Sequence, residues 1–231
     1  MANIIAQIPG CPAEKPYVVL GAHYDTVPGS PGADDNASGV AVLLETARRM
    51  ASNPSPPALR FVAFTLEEAP AFGTPLQGSR VFTRVAADNG DRILGAVVLE
   101  MVGYTALRQQ YPTLLQWSDY PTKGDFIGVV GNRRSRELVK AVIDGCRQTP
   151  QLPIESLCVP FNGWILPDTR LSDHASFWDH GWPAVMVTDT SFFRNPNYHR
   201  PTDTLATLDF PFMAQLTRGL ENTFEGIAEH G

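Results

Sequence analysis

The sequence predicts an α/β domain, a three-layer α/β/α sandwich around a central, mainly parallel mixed sheet. Three observations lead there. Apolar runs rich in Val, Ile and Phe recur along the chain, segments with helical spacing fall between them, and several runs are apolar at consecutive positions, as in strands buried on both faces. The strand candidates are Ile4–Ile8, Tyr17–Leu20, Leu59–Thr65, Leu94–Leu99, Phe126–Val130 and Ala184–Thr188. The first helix is read from Val40, Leu43, Leu44, Ala47 and Met50, behind the capping candidates Asp35, Asn36 and Ser38. Leu138, Val139, Val142, Ile143 and Cys146 repeat that spacing. So do Phe212, Leu216, Leu220, Phe224 and Ile227, with Asp209 and Pro211 as start signals. Shorter helices are expected over Leu76–Ala86 and Ser172–Asp179. Residues Tyr104–Asp125 are polar, proline-containing and unpatterned, and read as a long surface loop that walls a site.

Composition narrows the function classes. The chain has 231 residues, 43% hydrophobic and 18% charged, and reads as a single domain over 1–231. A net charge of −6 gives no footprint for nucleic acid or an anionic membrane surface. No apolar stretch approaches the roughly 20 residues of a membrane span. The start, Met1-Ala2-Asn3-Ile4-Ile5, has neither the basic region nor the apolar core of a signal peptide. The three cysteines, Cys11, Cys146 and Cys158, have no CxxC spacing and read as free buried thiols. They do not fix a compartment, and export stays open if an upstream segment is removed.

Chemistry-bearing residues collect where strands end, the edge at which α/β sheets place active groups. His23-Tyr24-Asp25 follows the run Tyr17–Leu20. If the strand continues, His23 and Asp25 share a face, an imidazole beside the carboxylate that holds its other ring nitrogen. Gly32-Ala33-Asp34-Asp35-Asn36-Ala37-Ser38-Gly39 opens the first helix with more acidic and amide groups than capping needs. Glu67-Glu68 follows the third run, with side chains expected in opposed directions. Glu100 ends the deeply apolar Ala96–Leu99, where an unpaired carboxylate would be costly. Tyr198-His199-Arg200-Pro201 supplies a second histidine on a loop. Nitrogen and oxygen donors without thiolates suit zinc in a catalytic site, and the carboxylate count suits two ions sharing a carboxylate. Spacing alone does not choose between Asp34 and Asp35 as the shared one.

The order and local wording resemble the di-zinc aminopeptidases of the bacterial leucyl aminopeptidase and glutamate carboxypeptidase type, a family that includes the animal-type glutaminyl cyclases. The resemblance runs through Gly21-Ala22-His23-Tyr24-Asp25, Gly32–Gly39, Glu67-Glu68, Leu99-Glu100-Met101, Ser172-Asp173-His174-Ala175, His199 and Asp203-Thr204-Leu205. It implies a zinc-peptidase fold with two Zn2+ per chain. His23 and Glu100 would bind the first ion, Glu68 and His199 the second, and Asp35 would bridge them, matching the second aspartate of the family's G-A-D-D stretch. Asp25 would orient His23 and touch no metal, and Glu67 would be the general base. The substrate implied is a peptide, cleaved at its N-terminal residue, by a protein expected as a monomer ahead of an oligomer. The oxyanion donor stays open among Tyr104, Tyr198 and Arg170. Ala69-Pro70-Ala71-Phe72-Gly73-Thr74 departs from the family's glycine-rich continuation, which puts side-chain preference in doubt. The family's N-terminal segment of several dozen residues is expected to be missing, and if it normally covers the sheet edge, that edge is expected to be less stable or to associate.

Other residues carry two readings. His174 is either a support behind the site or a hydrogen-bonded residue at a helix start. Phe161, Trp164, Phe192 and Phe193 serve packing or line a substrate pocket. His180 and His230 read as surface histidines, and Arg194–Asn197 as the shaper of the loop that carries His199. Two competing functions remain beside the peptidase: one-zinc glutaminyl cyclase chemistry on the same scaffold, and a catalytically silent peptide-binding module.

Overall fold

The apolar runs assemble into one seven-stranded sheet with the order β1-β3-β2-β4-β7-β5-β6. The computed structural model describes residues 1–8, 16–53, 58–116 and 118–230, with side chains to residue 227. Cys11 and the His230 side chain lie outside that description. The strands are β1 (Ile4–Gln7), β2 (Tyr17–His23), β3 (Leu59–Phe64), β4 (Ile93–Glu100), β5 (Ile127–Asn132), β6 (Ile154–Val159) and β7 (Ala184–Thr188). Pairings within β3-β2-β4-β7 and between β5 and β6 are parallel, whereas β1 on β3 and β5 on β7 are antiparallel. The carboxyl ends of β2, β3, β4 and β7 therefore share one edge. The amino ends of β5 and β6 arrive at that same edge.

Alternation along the strands sorts the core into two layers. On one face Val18, Leu20, Val97, Leu99, Val185 and Val187 meet helices α1 (Gly39–Met50), α3 (Arg136–Arg147) and α5 (Phe210–His230). On the other, Val19, Val62, Phe64, Val98 and Ala184 meet α2 (Gly78–Asp88) and α4 (His174–Asp179). This is the expected three-layer sandwich. Asp209 starts α5 as expected, its carboxylate accepting the Phe212 N–H at 3.0 Å. Among the described residues no helix is long and apolar enough to cross a membrane.

Some expectations need correction. Strand β6 has no clear apolar run, because Glu155 and Ser156 interrupt it on a half-exposed edge strand. Leu44 of α1 faces solvent, and the buried stripe runs instead through Val42, Leu43, Thr46 and Met50. Asp35, Asn36 and Ser38 do not cap α1. Asn36 donates to the Leu99 carbonyl and accepts from the Met101 N–H, and Ser38 accepts from the Val102 N–H. These side chains tie the helix entry to the end of β4. On the opposite edge, β1 is exposed along its length.

Helix α4 is short and is held by a cluster of three rings. Phe177 lies 6.3 Å from Phe64 and 6.0 Å from Phe82, centroid to centroid. Phe177→Ala is expected to lower the free energy of unfolding by about 3–5 kcal/mol in a urea titration, the usual loss for a fully buried ring. A loss below about 1 kcal/mol would show that α4 does not depend on this contact.

Candidate metal centre

The central trio of strands delivers four acidic or imidazole groups at or just beyond its carboxyl ends. His23 is the last residue of β2 and Glu100 the last of β4, while Glu67 and Glu68 follow β3 by a short turn. Three sharp bends aim these groups. Leu66, Met101 and His199 all adopt left-handed backbone, with φ of 56°, 48° and 58°. Gly32, at φ 68°, opens the loop that carries Asp35, and a Cβ there would lie 2.6 Å from Thr26 Oγ1.

The structure brings the candidates into two groups that share Asp35. In the first, His23 Nε2 lies 3.3 Å from Asp35 Oδ1 and 3.5 Å from Glu100 Oε2. In the second, His199 Nε2 lies 3.1 Å from Asp35 Oδ2 and 3.3 Å from Glu68 Oε2. The donor atoms of each trio all lie within 4.8 Å of one another. The geometry separates Asp35 from Asp34. Asp35 turns one oxygen toward each histidine, whereas Asp34 is engaged by the Gly103 N–H and the Asn195 amide. Glu67 and Glu68 diverge as expected: Glu67 Oε2 is 4.0 Å from His23 Nε2, and Glu68 goes to His199.

Asp25 departs from the expectation. Strand β2 stops at His23, so the two side chains do not stand side by side on a continuing strand. His23 Nδ1 meets the Asp25 backbone carbonyl at 3.0 Å, with the carboxylate at 3.7 Å. That carboxylate instead accepts the N–H groups of Glu67 and Glu68, each at 3.1 Å. It fixes the peptide that carries both glutamates while still facing the His23 ring. Asp25 belongs to neither group of candidate ligands.

Further supports have no local signal in the sequence. Asp203 accepts the N–H groups of Asp34 and Asp35, and Ser172 Oγ donates to Glu100 Oε2 at 2.7 Å. Both act across more than 70 residues of chain. His174 is structural: Nε2 meets the Thr169 carbonyl at 2.8 Å, and burial pushes its pKa down to about 4. Phe192 and Phe193 line the cavity beside the cluster, whereas Phe161 and Trp164 are exposed. His180 stacks on Trp182. Arg194 does shape its loop, donating to the Phe126 and Tyr104 carbonyls. Of the oxyanion candidates, Tyr198 lines the cavity, while Arg170 is tied to the Asn162 carbonyl and Asp179.

The donor set fits divalent metal. It is imidazole nitrogen and carboxylate oxygen, without thiolate. His23 Nε2 and Glu68 Oε1 are buried with no hydrogen-bond partner, a costly condition unless something else meets them. Burial opposes a charged His23, yet Glu100 and Glu67 hold its pKa well above the ordinary value. Burial lifts Glu67 well above the carboxylate range and Glu68 to about 7. Asp35 is drawn down to about 2 despite burial, because both imidazoles flank it. A histidine or glutamate whose pKa is raised on folding binds more protons folded than unfolded, so stability falls as pH rises through the shifted range. Chelator-treated protein is therefore expected to melt at progressively lower temperature from about pH 5 to pH 8. Stabilisation by added zinc should grow over the same range, since the ligands must lose protons to bind. Scanning calorimetry on both forms checks this, and a rising melting temperature for the stripped protein contradicts it.

Comparison with known proteins agrees with this geometry. The sequence model of peptidase family M28 matches residues 3–223. The chain is 38% identical over 230 residues to the uncharacterized protein YfbL of Escherichia coli, across 94% of this chain and 68% of that one. It is 29% identical over 228 residues to a probable leucine aminopeptidase of Arthroderma otae, across 92% of this chain and 53% of that one. The chain thus spans about half the length of such fungal relatives. The fold matches BSAP, a zinc aminopeptidase from Bacillus subtilis, with a TM-score of 0.71 at 25% identity, over 97% of this chain and 49% of that one. It matches a Porphyromonas gingivalis glutaminyl cyclase with a TM-score of 0.72 at 19% identity, over 97% and 77% of the two chains, a likeness of fold alone. The chain belongs to peptidase family M28.

Proposed function

We propose that the protein is a zinc aminopeptidase that removes N-terminal residues from peptides. The observation that carries this reading is the pair of three-residue groups sharing Asp35, with Glu67 beside them. His23, Asp35 and Glu100 would hold one ion, and Asp35, Glu68 and His199 the other. Bound there, two zinc ions would supply a water of lowered pKa and would polarise the scissile carbonyl. Glu67, buried and carrying no ligand role, accepts the proton of that water and returns it to the leaving amine. The substrate α-amine lies among the carboxylates of the cluster, which favours a free N-terminus. Tyr198 donates to the developing oxyanion. Its ring stacks on His199 at 3.7 Å, and burial and the surrounding carboxylates raise its pKa, which keeps the hydroxyl protonated. Two complete ligand groups support two ions, against the one-zinc glutaminyl cyclase reading. The retained base and ligands speak against a silent module.

Chelation is expected to abolish cleavage of aminoacyl amides, and zinc or cobalt to restore it. Glu67→Gln should lower kcat by about 10²–10⁴-fold while metal content stays near two per chain. Near-normal turnover in that variant would remove Glu67 from proton transfer. Ammonia release from N-terminal Gln peptides, with one metal per chain, would instead support the cyclase reading. Tyr198→Phe should lower kcat by about 10²–10³-fold with a small change in KM, and an effect confined to KM would reassign Tyr198 to substrate binding.

A further inference from the structure

The cavity beside the metal cluster contains two carboxylates that the reading above does not use. It has a volume of about 290 Å³ and is lined by Asp35, Glu67, Glu68, Glu100, Glu155 and Asp168, and, among the described residues, by no lysine or arginine. The first four belong to the cluster. Glu155 on β6 and Asp168 on the helical turn Pro167–Arg170 have no ion pair and no side-chain hydrogen bond among the described residues. The rest of the wall is mostly apolar and aromatic, including Leu115, Phe126, Val129 and Leu157.

Around Glu155 the neutral donors are already engaged. The Tyr111 hydroxyl donates to the Pro121 carbonyl at 2.6 Å, and the Tyr120 hydroxyl to the Ser156 carbonyl at 2.8 Å. The two rings stack at 5.8 Å and add aromatic surface to the cavity wall. Burial, and then the charge of Glu155, raises the Tyr120 pKa, whereas the stacked Tyr111 feels the charge of Arg194 as well as that of Glu155. The nearby cation, Arg194, does not line the cavity. Its guanidinium is tied to Gln109 and two backbone carbonyls, and the buried Asp189 balances it.

A carboxylate without a donor, at the wall of an apolar cavity, complements a long aliphatic stem that ends in a cation. Aromatic faces beside it favour the same head group. We propose that the cavity is a specificity pocket for a basic side chain, with Glu155 receiving the ammonium or guanidinium and Asp168 reinforcing it. The substrate class is then peptides with N-terminal Lys or Arg. This rests on the aminopeptidase reading above.

The test compares kcat/KM for lysyl and norleucyl p-nitroanilides on zinc-loaded protein, because the two share a stem and differ in the cation. The lysyl-to-norleucyl ratio is expected to exceed one. It should fall at least about tenfold in Glu155→Gln, as for the loss of one charge-assisted contact, and fall in the same direction in Asp168→Asn. A ratio below one, or one that neither variant moves, overturns the proposal. If no aminoacyl amide is cleaved, the peptidase reading fails on its own, and calorimetric binding of lysinamide against norleucinamide decides the pocket. Tighter lysinamide binding that Glu155→Gln removes upholds it, and equal binding of the two overturns it.

Discussion

The structure turns on negative charge buried at one edge of the sheet. Asp35, Glu67 and Glu100 are buried together with His23, with Glu68 and His199 adjoining. Two charged carboxylate oxygens within 4.8 Å repel by about 3.5 kcal/mol at an effective dielectric constant of about 20. The two such pairs, Asp35 with Glu100 and Asp35 with Glu68, outweigh the contribution of any one hydrogen bond nearby, about 1 kcal/mol. The cluster therefore demands compensating positive charge. Burial first, and neighbouring carboxylates after it, displace Glu67 and Glu68 toward their protonated forms, and the carboxylates displace both histidines the same way. Divalent ions meet that demand with more charge than protons and no donor geometry to satisfy. The same repulsion explains the surrounding supports: Ser172 on Glu100, Asp25 on the Glu67-Glu68 peptide and Asp203 on the Asp34-Asp35 peptide each hold a group that would otherwise move away.

Holding those groups also costs backbone energy. A left-handed conformation at a residue with a Cβ costs about 1–2 kcal/mol, and Leu66, Met101 and His199 each adopt one beside or within the cluster. The core offsets this. Leu20, Leu99, Phe64 and Phe177 are fully buried on the two faces of the sheet, and burying each such side chain contributes about 1.5–3 kcal/mol. The strands are thus firm enough to end in bends that an isolated chain would avoid. Because the bends at Leu66 and Met101 follow strand ends closely, Glu67, Glu68 and Glu100 inherit the rigidity of the sheet.

Much of this was legible in the sequence because the relevant signals are local. Runs such as Ala96–Leu99 and the spacing from Phe212 to Ile227 mark buried strands and an amphipathic helix without reference to the rest of the chain. His23, Glu67, Glu68, Glu100 and His199 stand out because polar groups directly after apolar runs have few bland explanations. What stayed hidden was set by distant partners. Asp34 and Asp35 are chemically identical neighbours, and only Gly103 and Asn195, far along the chain, remove Asp34 from contention. Asp25 lies beside His23, but its hold on the Glu67-Glu68 peptide was hidden, because that peptide is more than 40 residues away along the chain. Strand β6 escaped because an edge strand facing a cavity on one side has no uniform pattern to display.

That strand also shows how the fold separates reaction from selection. The metal candidates come mainly from the carboxyl ends of parallel β2, β3 and β4. Much of the facing wall comes from elsewhere: the amino-terminal halves of β5 and β6, the 104–125 loop, and Ala69 and Phe72 after the glutamate pair. β5 lies antiparallel to β7, and β6 parallel to β5, so their beginnings arrive at the edge where β2, β3 and β4 end. Substitutions in this wall alter what the cavity admits without passing through the hydrogen bonds that fix Asp35, Glu67 or Glu100. Glu155 is the clearest case, since its backbone belongs to the sheet while its carboxylate has no structural partner to lose. Among the described residues this half-buried charge makes no hydrogen bond or ion pair, which leaves it open to solvent or to a ligand of opposite charge.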